Sequence, residues 1–329
     1  MTAKPKVLVT HWVHADVVAR LDSTCETIAN ASRGSWPRER VLELASACDG
    51  LMAFMPDRID EAFLERCPKL RVVAAATKGT GNFDLEACAR RGVWLAQAPG
   101  LAAVPTAELA MGLLLAVARN LRVADDQVRS GAFRGWRPQV CGTGLAGKTL
   151  GVIGYGAIGR LVAQRAAAFD MTVIYADPQP GPGQHQRVLL GELLARSDFV
   201  VPLVPLTPQT RHMIDARALA QMKRGAFVVN VGRGSVVDEA AVAASLASGH
   251  LAGYAADVFE MEDWAALDTC PGSIHPGLLA DRKRTFLTPH LGSAVDDPCR
   301  AIALEAADNI LDALAGRTPR GAINAARSS

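Results

Sequence analysis

Three polar residues stand just beyond apolar runs of strand length: Arg233 in Asn230-Val-Gly-Arg-Gly-Ser235, Glu262 in Asp257-Val-Phe-Glu-Met-Glu262, and His290 in Thr288-Pro-His-Leu-Gly-Ser293. An always-charged, planar guanidinium clamps an oxyanion through paired donors. An imidazole titrates near neutrality and moves a proton. A carboxylate beside it fixes its tautomer and favours its charged form. Taken singly, an Arg between glycines is more often a solvated loop residue, a Pro-His pair a turn, and Glu262 a surface acid. One of each required type at strand-terminal loops of one domain makes them a candidate catalytic set.

A second constellation surrounds the run Thr149-Leu-Gly-Val-Ile-Gly-Tyr-Gly-Ala-Ile-Gly159. Leu150 to Ile153 reads as a buried strand, and Ile158 to Phe169 as the helix after it. Between them Gly154, Gly156 and Gly159 keep a G-x-G-x-x-G spacing. The first glycine suits a tight turn, the second lets backbone approach a pyrophosphate, and the third lets helix and strand pack closely. The helix N-terminus offers unpaired N–H groups to the anion. The next apolar run, Met171–Tyr175, leads to Asp177, 18 residues past Gly159, where a carboxylate accepts hydrogen bonds from the adenosine ribose. No Arg or Lys precedes Arg187 to hold a 2′-phosphate, so the expected cofactor is NAD rather than NADP.

The elements that must position these groups alternate between strand and helix. Lys6–Thr10, Thr27–Ala29, Leu51–Phe54, Leu70–Ala74 and Val93–Leu95 read as strands with helical patterns between them. That alternation predicts a parallel sheet covered on both faces. From Thr106 a helical pattern is apolar almost all round and is expected to be buried on most sides. Gln127 to Thr143 reads as an irregular arm of the kind that wraps a partner subunit. Beyond Lys148 the alternation resumes, with Pro205–Thr210 at a strand's carboxyl end, where such sheets bind ligands. The last amphipathic helix, Arg300–Leu314, has no third sheet to complete and is expected to return to the first domain. The reading is α/β, with two doubly wound parallel-sheet domains: residues 104–293 form a Rossmann domain inserted into a flavodoxin-like substrate domain of residues 1–103 and 294–329, with a cleft between.

A chain of 329 residues suits about two domains, and its formal net charge of +2 argues against a nucleic-acid surface. Seven scattered cysteines form no CxxC pair and no disulfide framework, so a reducing cytoplasm and no metal site are expected. The longest apolar run, Leu109 to Ala118, is about half a membrane span, and no membrane partner is expected.

Gly154–Gly159, Leu203–His212, Met222–Asn230 and Thr288–Gly292 together resemble the NAD-dependent D-2-hydroxyacid dehydrogenase family over essentially the whole chain. Within that family Met52–Arg58, Thr77-Lys-Gly79 with Asn82-Phe-Asp84, Gly135-Trp136 and Gly253–Trp264 look like the phosphonate (phosphite) dehydrogenases. The resemblance implies Arg233, Glu262 and His290 as the catalytic set, and Lys78, Gly79, Met55, Trp136 and Arg233 as substrate-binding. It also implies Thr106, Ala157, Ile158, Pro205, Leu206, Val231, Asp257, His290 and Ser293 as cofactor contacts, beside the three glycines and Asp177. A homodimer is implied as well. Two positions depart from the phosphite enzymes: Cys299 stands where an Arg is expected, with Arg300 one residue on, and Cys141 stands where a Tyr is expected.

The expected reaction is NAD-dependent oxidation of phosphite to phosphate. Phosphite is largely dianionic near neutrality, which suits two cations, Arg233 and Lys78; a 2-hydroxy acid carries one charge and suits one. The alternative is a D-2-hydroxyacid dehydrogenase acting on a small 2-hydroxy or 2-keto acid. A third reading, a dinucleotide-sensing corepressor, calls for a peptide groove that no stretch of the sequence suggests.

Overall fold

The structure, a computed structural model, describes residues 3–77, 79, 81–98, 100–136, 140–265 and 270–325. They divide into two compact units, one of residues 1–102 with 295–329 and the other of residues 103–294.

The first unit holds a five-stranded, all-parallel sheet: β1 (Lys6–Val9), β2 (Glu26–Ala29), β3 (Gly50–Ala53), β4 (Val72–Ala75) and β5 (Trp94–Gln97). Their spatial order, β2-β1-β3-β4-β5, is the flavodoxin-like one. Alternate residues of β1 serve opposite cores. Leu8 packs with Phe63, Leu64 and Leu95, whereas Val7 and Val9 pack with Ala303, Ala306 and Ile310 of the C-terminal helix Asp296–Leu314. The last helix therefore completes the first unit, as its amphipathic pattern predicts, and it starts four residues earlier than that pattern suggests.

The second unit holds a seven-stranded parallel sheet: β6 (Thr149–Ile153), β7 (Thr172–Ala176), β8 (Gln186–Arg187), β9 (Phe199–Pro202), β10 (Ala226–Asn230), β11 (Leu251–Ala256) and β12 (Thr285–Leu287). The order β12-β11-β10-β9-β6-β7-β8 reverses direction at β6, the doubly wound Rossmann arrangement. Each face is buried: Val152, Phe199 and Val229 pack with the helices Ala103–Ala118 and Ala157–Ala167, and Ile153, Val200 and Val228 lie on the opposite core. Such two-sided burial is why these strands read as unbroken apolar runs.

Several short elements escape sequence reading. β8 has two residues and β12 three, too few to show a period. The start of the expected irregular arm is helical: Leu121–Arg129 follows Asn120, whose left-handed backbone (φ 51°) ends the preceding helix and turns the chain. The arm then folds back, with Thr143 N–H donating to the Ala118 carbonyl at 2.7 Å. Among the described residues no single helix is long and apolar enough to cross a membrane.

The β6 turn rests on two glycines. Gly154 has φ 92°, a conformation that costs an L side chain energy, and a Cβ there would come within 2.9 Å of the Leu203 backbone. A Cβ on Gly159 would overlap the Gly154 carbonyl oxygen. Gly159→Ala is therefore expected to lower stability by about 1–3 kcal/mol, the usual cost of overpacking. Urea denaturation checks this, and an unchanged midpoint would show that the helix can move away freely.

Candidate active site

The site grows from the carboxyl ends of β10 and β11 and from the segment after β12. At β11 the chain emerges into Asp257, whose carboxylate is 1% exposed and has three donors from one loop. Thr288 Oγ1 and Leu291 N–H donate to its Oδ1 at 2.6 and 2.7 Å, and Gly292 N–H donates to Oδ2 at 2.8 Å. The His290 N–H donates to the Asp257 main-chain carbonyl at 2.8 Å. Together these hold His290 at φ 54°, a left-handed backbone that is strained for a non-glycine residue and persists only where its surroundings over-determine it. Burial pushes the Asp257 pKa up, against the opposing pull of Thr288, Leu291 and Gly292. Thr106, from the helix Ala103–Ala118, donates through Oγ1 to the Gly292 carbonyl at 3.2 Å.

The His290 ring lies against Glu262, with Nδ1 and Oε2 2.6 Å apart and the side chains 34% and 28% exposed. A carboxylate only accepts, so Nδ1 carries the proton and Nε2 is left to act on a substrate. The bond to Glu262 is the main reason that the His290 pKa is raised above 6.5; burial and the Arg233 charge oppose it, and Asp257 adds to it. Glu262 is itself placed by its own turn, where its Oε1 accepts the Phe259 N–H at 2.7 Å.

Arg233 is half-buried and sits in the loop after β10. Asn230, fully buried, shapes that loop: its amide donates to the Arg233 carbonyl at 2.9 Å and its Oδ1 accepts the Gly232 N–H at 3.1 Å. Gly234 lets the loop lie flat on the Phe259–Glu260 backbone, since a Cβ there would overlap the Phe259 carbonyl. Ser235 N–H then donates to Asp263 Oδ2 at 2.8 Å. So the structure brings Arg233, Glu262, His290 and Asp257 together. Asn230, Gly234, Ser235, Asp263 and Thr288 are the positioning residues that sequence reading misses. Their partners lie up to 31 residues away, and no local spacing announces them.

The glycine turn fits a dinucleotide. A Cβ on Gly156 would meet nothing within 4 Å, which leaves open space at the N-terminus of the 11-residue helix Ala157–Ala167. The first N–H groups of a helix lack intrahelical partners and favour an anion. Asp177 stands beside this turn, with Oδ2 accepting the Tyr155 N–H at 2.8 Å and Oδ1 the Gln179 N–H at 2.9 Å. Arg187 returns on β8 to donate to the Asp177 and Pro178 carbonyls at 2.8 and 2.6 Å, so a cation does lie near the expected ribose end. The loop of Pro205 and Leu206 follows β9, and Thr210 Oγ1 donates to the Pro205 carbonyl at 2.6 Å. Val231 is buried at the end of β10, and Ser293 is half-buried just after His290.

The remaining candidates are spread more widely. Met55 and Gly79 lie in the first unit, beyond β3 and β4, where Asn82 Nδ2 donates to the Met55 carbonyl at 3.4 Å and Thr77 Oγ1 to the Gly79 carbonyl at 2.8 Å. Lys78 lies outside the described residues. Trp136 is 88% exposed on the arm. Arg300 is paired with Asp16 at 2.8 Å.

The chain is similar to known proteins over nearly its whole length. Residues 111–292 match the model of the D-isomer specific 2-hydroxyacid dehydrogenase, NAD binding domain. The chain is 35% identical to a glyoxylate reductase of Thermococcus litoralis, across 98% of this chain and 97% of that protein. The solved TT0316 protein of Thermus thermophilus superposes with a TM-score of 0.89 at 36% identity, covering 97% of this chain and 99% of that one. An NADPH-dependent glyoxylate/hydroxypyruvate reductase of Sinorhizobium meliloti, solved with NADP and malonate, gives a TM-score of 0.84 at 25% identity, covering 99% and 100%.

Because Glu262 holds the His290 pKa up, Glu262→Gln is expected to move it to lower pH, as read by NMR titration of the imidazole. An unmoved titration would show that the 2.6 Å contact carries no electrostatic weight in solution.

Proposed function

The chain belongs to the D-isomer specific 2-hydroxyacid dehydrogenase family, an NAD-dependent oxidoreductase family, and on that premise we propose that it interconverts a small 2-keto acid of glyoxylate size and its 2-hydroxy acid. The observation that carries this reading is the His290–Glu262 pair with Arg233 as the cation whose charge reaches it. One arginine matches the single charge of a 2-keto acid, and its planar fork takes both carboxylate oxygens. His290, charged and with Nδ1 committed to Glu262, donates from Nε2 to the keto oxygen in reduction and takes the hydroxyl proton in oxidation. Glu262 holds the ring orientation and stabilises the imidazolium. Bound NAD supplies the hydride acceptor or, when reduced, the donor. Gly154, Gly156, Ala157, Ile158, Gly159 and Asp177 would hold its adenosine and pyrophosphate, and Thr106, Pro205, Leu206, Val231, Asp257 and Ser293 the rest.

This reverses the order reached from sequence alone, which places phosphite first. The relatives carry the name glyoxylate reductase. The second cation that a dianion needs, Lys78, rests with Met55, Gly79 and Trp136 on resemblance only. Phosphite oxidation remains the rival that an assay must separate. Consumption of NADH with glyoxylate and other small 2-keto acids, beside NADH formation with phosphite, decides it. Brisk turnover of phosphite with inert keto acids would overturn the reading.

NAD is the preferred cofactor, because the Asp177 carboxylate beside the turn repels a 2′-phosphate. A higher kcat/KM with NADPH than with NADH would overturn this preference and assign Arg187 to a 2′-phosphate. Arg233→Lys keeps the charge and loses the fork. With a hydrogen bond to a charged group worth about 1.5–3 kcal/mol, kcat/KM for the keto acid should fall roughly ten- to hundredfold. An unchanged value would remove Arg233 from substrate binding.

A second copy of this chain is the proposed partner. The helix Leu121–Arg129 has no buried residue, and Leu121, Val128, Phe133 and Trp136 leave apolar surface open along the arm. Light scattering is expected to give a dimer for the wild type and a monomer for Val128→Asp/Phe133→Asp. A monomeric wild type would refute it.

A further inference from the structure

The second unit contains another histidine–glutamate pair, built from the Leu203–His212 stretch to which the proposed chemistry gives no task beyond Pro205 and Leu206. His212 shares two unusual features with His290: a left-handed backbone, φ 49°, and a carboxylate partner, with Nε2 2.9 Å from Glu260 Oε2. Its N–H donates to the Ser235 carbonyl at 2.7 Å, which anchors it beside the Arg233 loop.

Glu260 is only two residues before Glu262 and is almost buried. Its Oε1 accepts the Glu239 N–H at 3.0 Å, and its own N–H donates back to Glu239 Oε1 at 2.9 Å. Glu239 Oε2 accepts the His275 N–H at 2.8 Å. Every oxygen of this carboxylate couple is thus engaged, and Glu260 is drawn into a clasp that opens on one side only, toward His212. Among the described residues the segment Glu260–Ala265 is tied further by Ser235 N–H to Asp263, by the Glu262 N–H to the Phe259 carbonyl at 3.1 Å, and by the Glu262 carboxylate, which meets the Phe259 N–H and His290. A left-handed backbone is strained for a non-glycine residue and persists where its surroundings hold it, here the Ser235 carbonyl and the Glu260 carboxylate.

We propose that His212 is a positioning residue: by holding Glu260 it fixes the turn that places Glu262 against His290. This rests on the proton-transfer role assigned to His290. Among the described residues the charged and titratable groups facing His290 are Glu262, Arg233 and Asp257, and those facing Glu260 are His212, Glu239, Tyr254 and Cys270. Among the described residues the His212 side chain bonds to Glu260 and to none of the first set, so a change confined to that side chain acts on His290 through the Glu260 turn.

The experiment is the pH dependence of kcat for keto-acid reduction, which falls as pH rises through the His290 pKa. His212→Leu should lower kcat about tenfold and move that fall to lower pH, in the same direction as Glu262→Gln. His212→Gln, which keeps an N–H donor of similar reach, should restore it. In the Glu262→Gln background, His212→Leu should shift the fall no further, since coupled residues are non-additive. A folded His212→Leu enzyme with the wild-type profile, or one whose shift simply adds to that of Glu262→Gln, overturns the proposal. If His212→Leu does not fold, His212→Asn, a residue at ease with a left-handed backbone, is judged by the same profile. Failure of Glu262→Gln itself to move the profile would instead refute the proton-transfer role of His290.

Discussion

The carboxylate of Asp257 ties together residues that sequence separates by more than thirty positions. Its two oxygens take the Thr288 hydroxyl and the Leu291 and Gly292 N–H groups, and it does so almost entirely out of water. Each unmade bond of this kind in a buried site costs about 1–3 kcal/mol, so the loop has one favourable arrangement. His290 inherits its left-handed backbone from that arrangement, and from the backbone its ring inherits the direction that meets Glu262. The proposed proton chemistry therefore depends on a residue that need not touch the reacting atoms.

The same logic recurs around the site. The candidate catalytic groups Arg233, Glu262 and His290 are half-buried, whereas the polar groups that hold their loops are buried: Asn230 beneath Arg233, and Ser235, Glu239, Glu260 and Asp263 around the Glu262 turn. Low dielectric makes such contacts stiff, and the half-exposed residues stay free to exchange protons and bind anions. The raised pKa of His290 follows from this division. Its partner is a carboxylate 2.6 Å away, and that bond outweighs the burial that opposes it.

Much of this was legible before any coordinates. Parallel strands buried on both faces betray themselves as apolar runs, and the G-x-G-x-x-G turn is local chemistry confined to Gly154–Gly159. Arg233, Glu262 and His290 could be picked out because each stands at a strand's end, where doubly wound sheets place ligands. What stayed hidden is non-local. Nothing near Glu260 in the sequence reveals a bond to His212 or Glu239, and nothing near Asp257 foretells its hold on residues 288–292. β8 and β12 are too short to carry a period. Arg187 lay ten residues past Asp177 and seemed remote, until β8 turned it back onto the same corner. The order of the substrate readings changed for a related reason: resemblance in short segments puts phosphite first, whereas the relatives that match over the full length are named glyoxylate reductases.

The division of the first unit has a consequence for synthesis on the ribosome. Residues 1–102 leave the exit tunnel before the second unit, but one of their two cores is lined by Ala303, Ala306 and Ile310, which are translated more than two hundred residues later. The second unit is continuous in the chain and can close as soon as it emerges. Biosynthesis thus runs against the usual N-terminal-first order: the nascent five-stranded sheet waits with a naked apolar face until the final helix arrives. During that interval it is the part of the molecule that chaperones have most reason to cover.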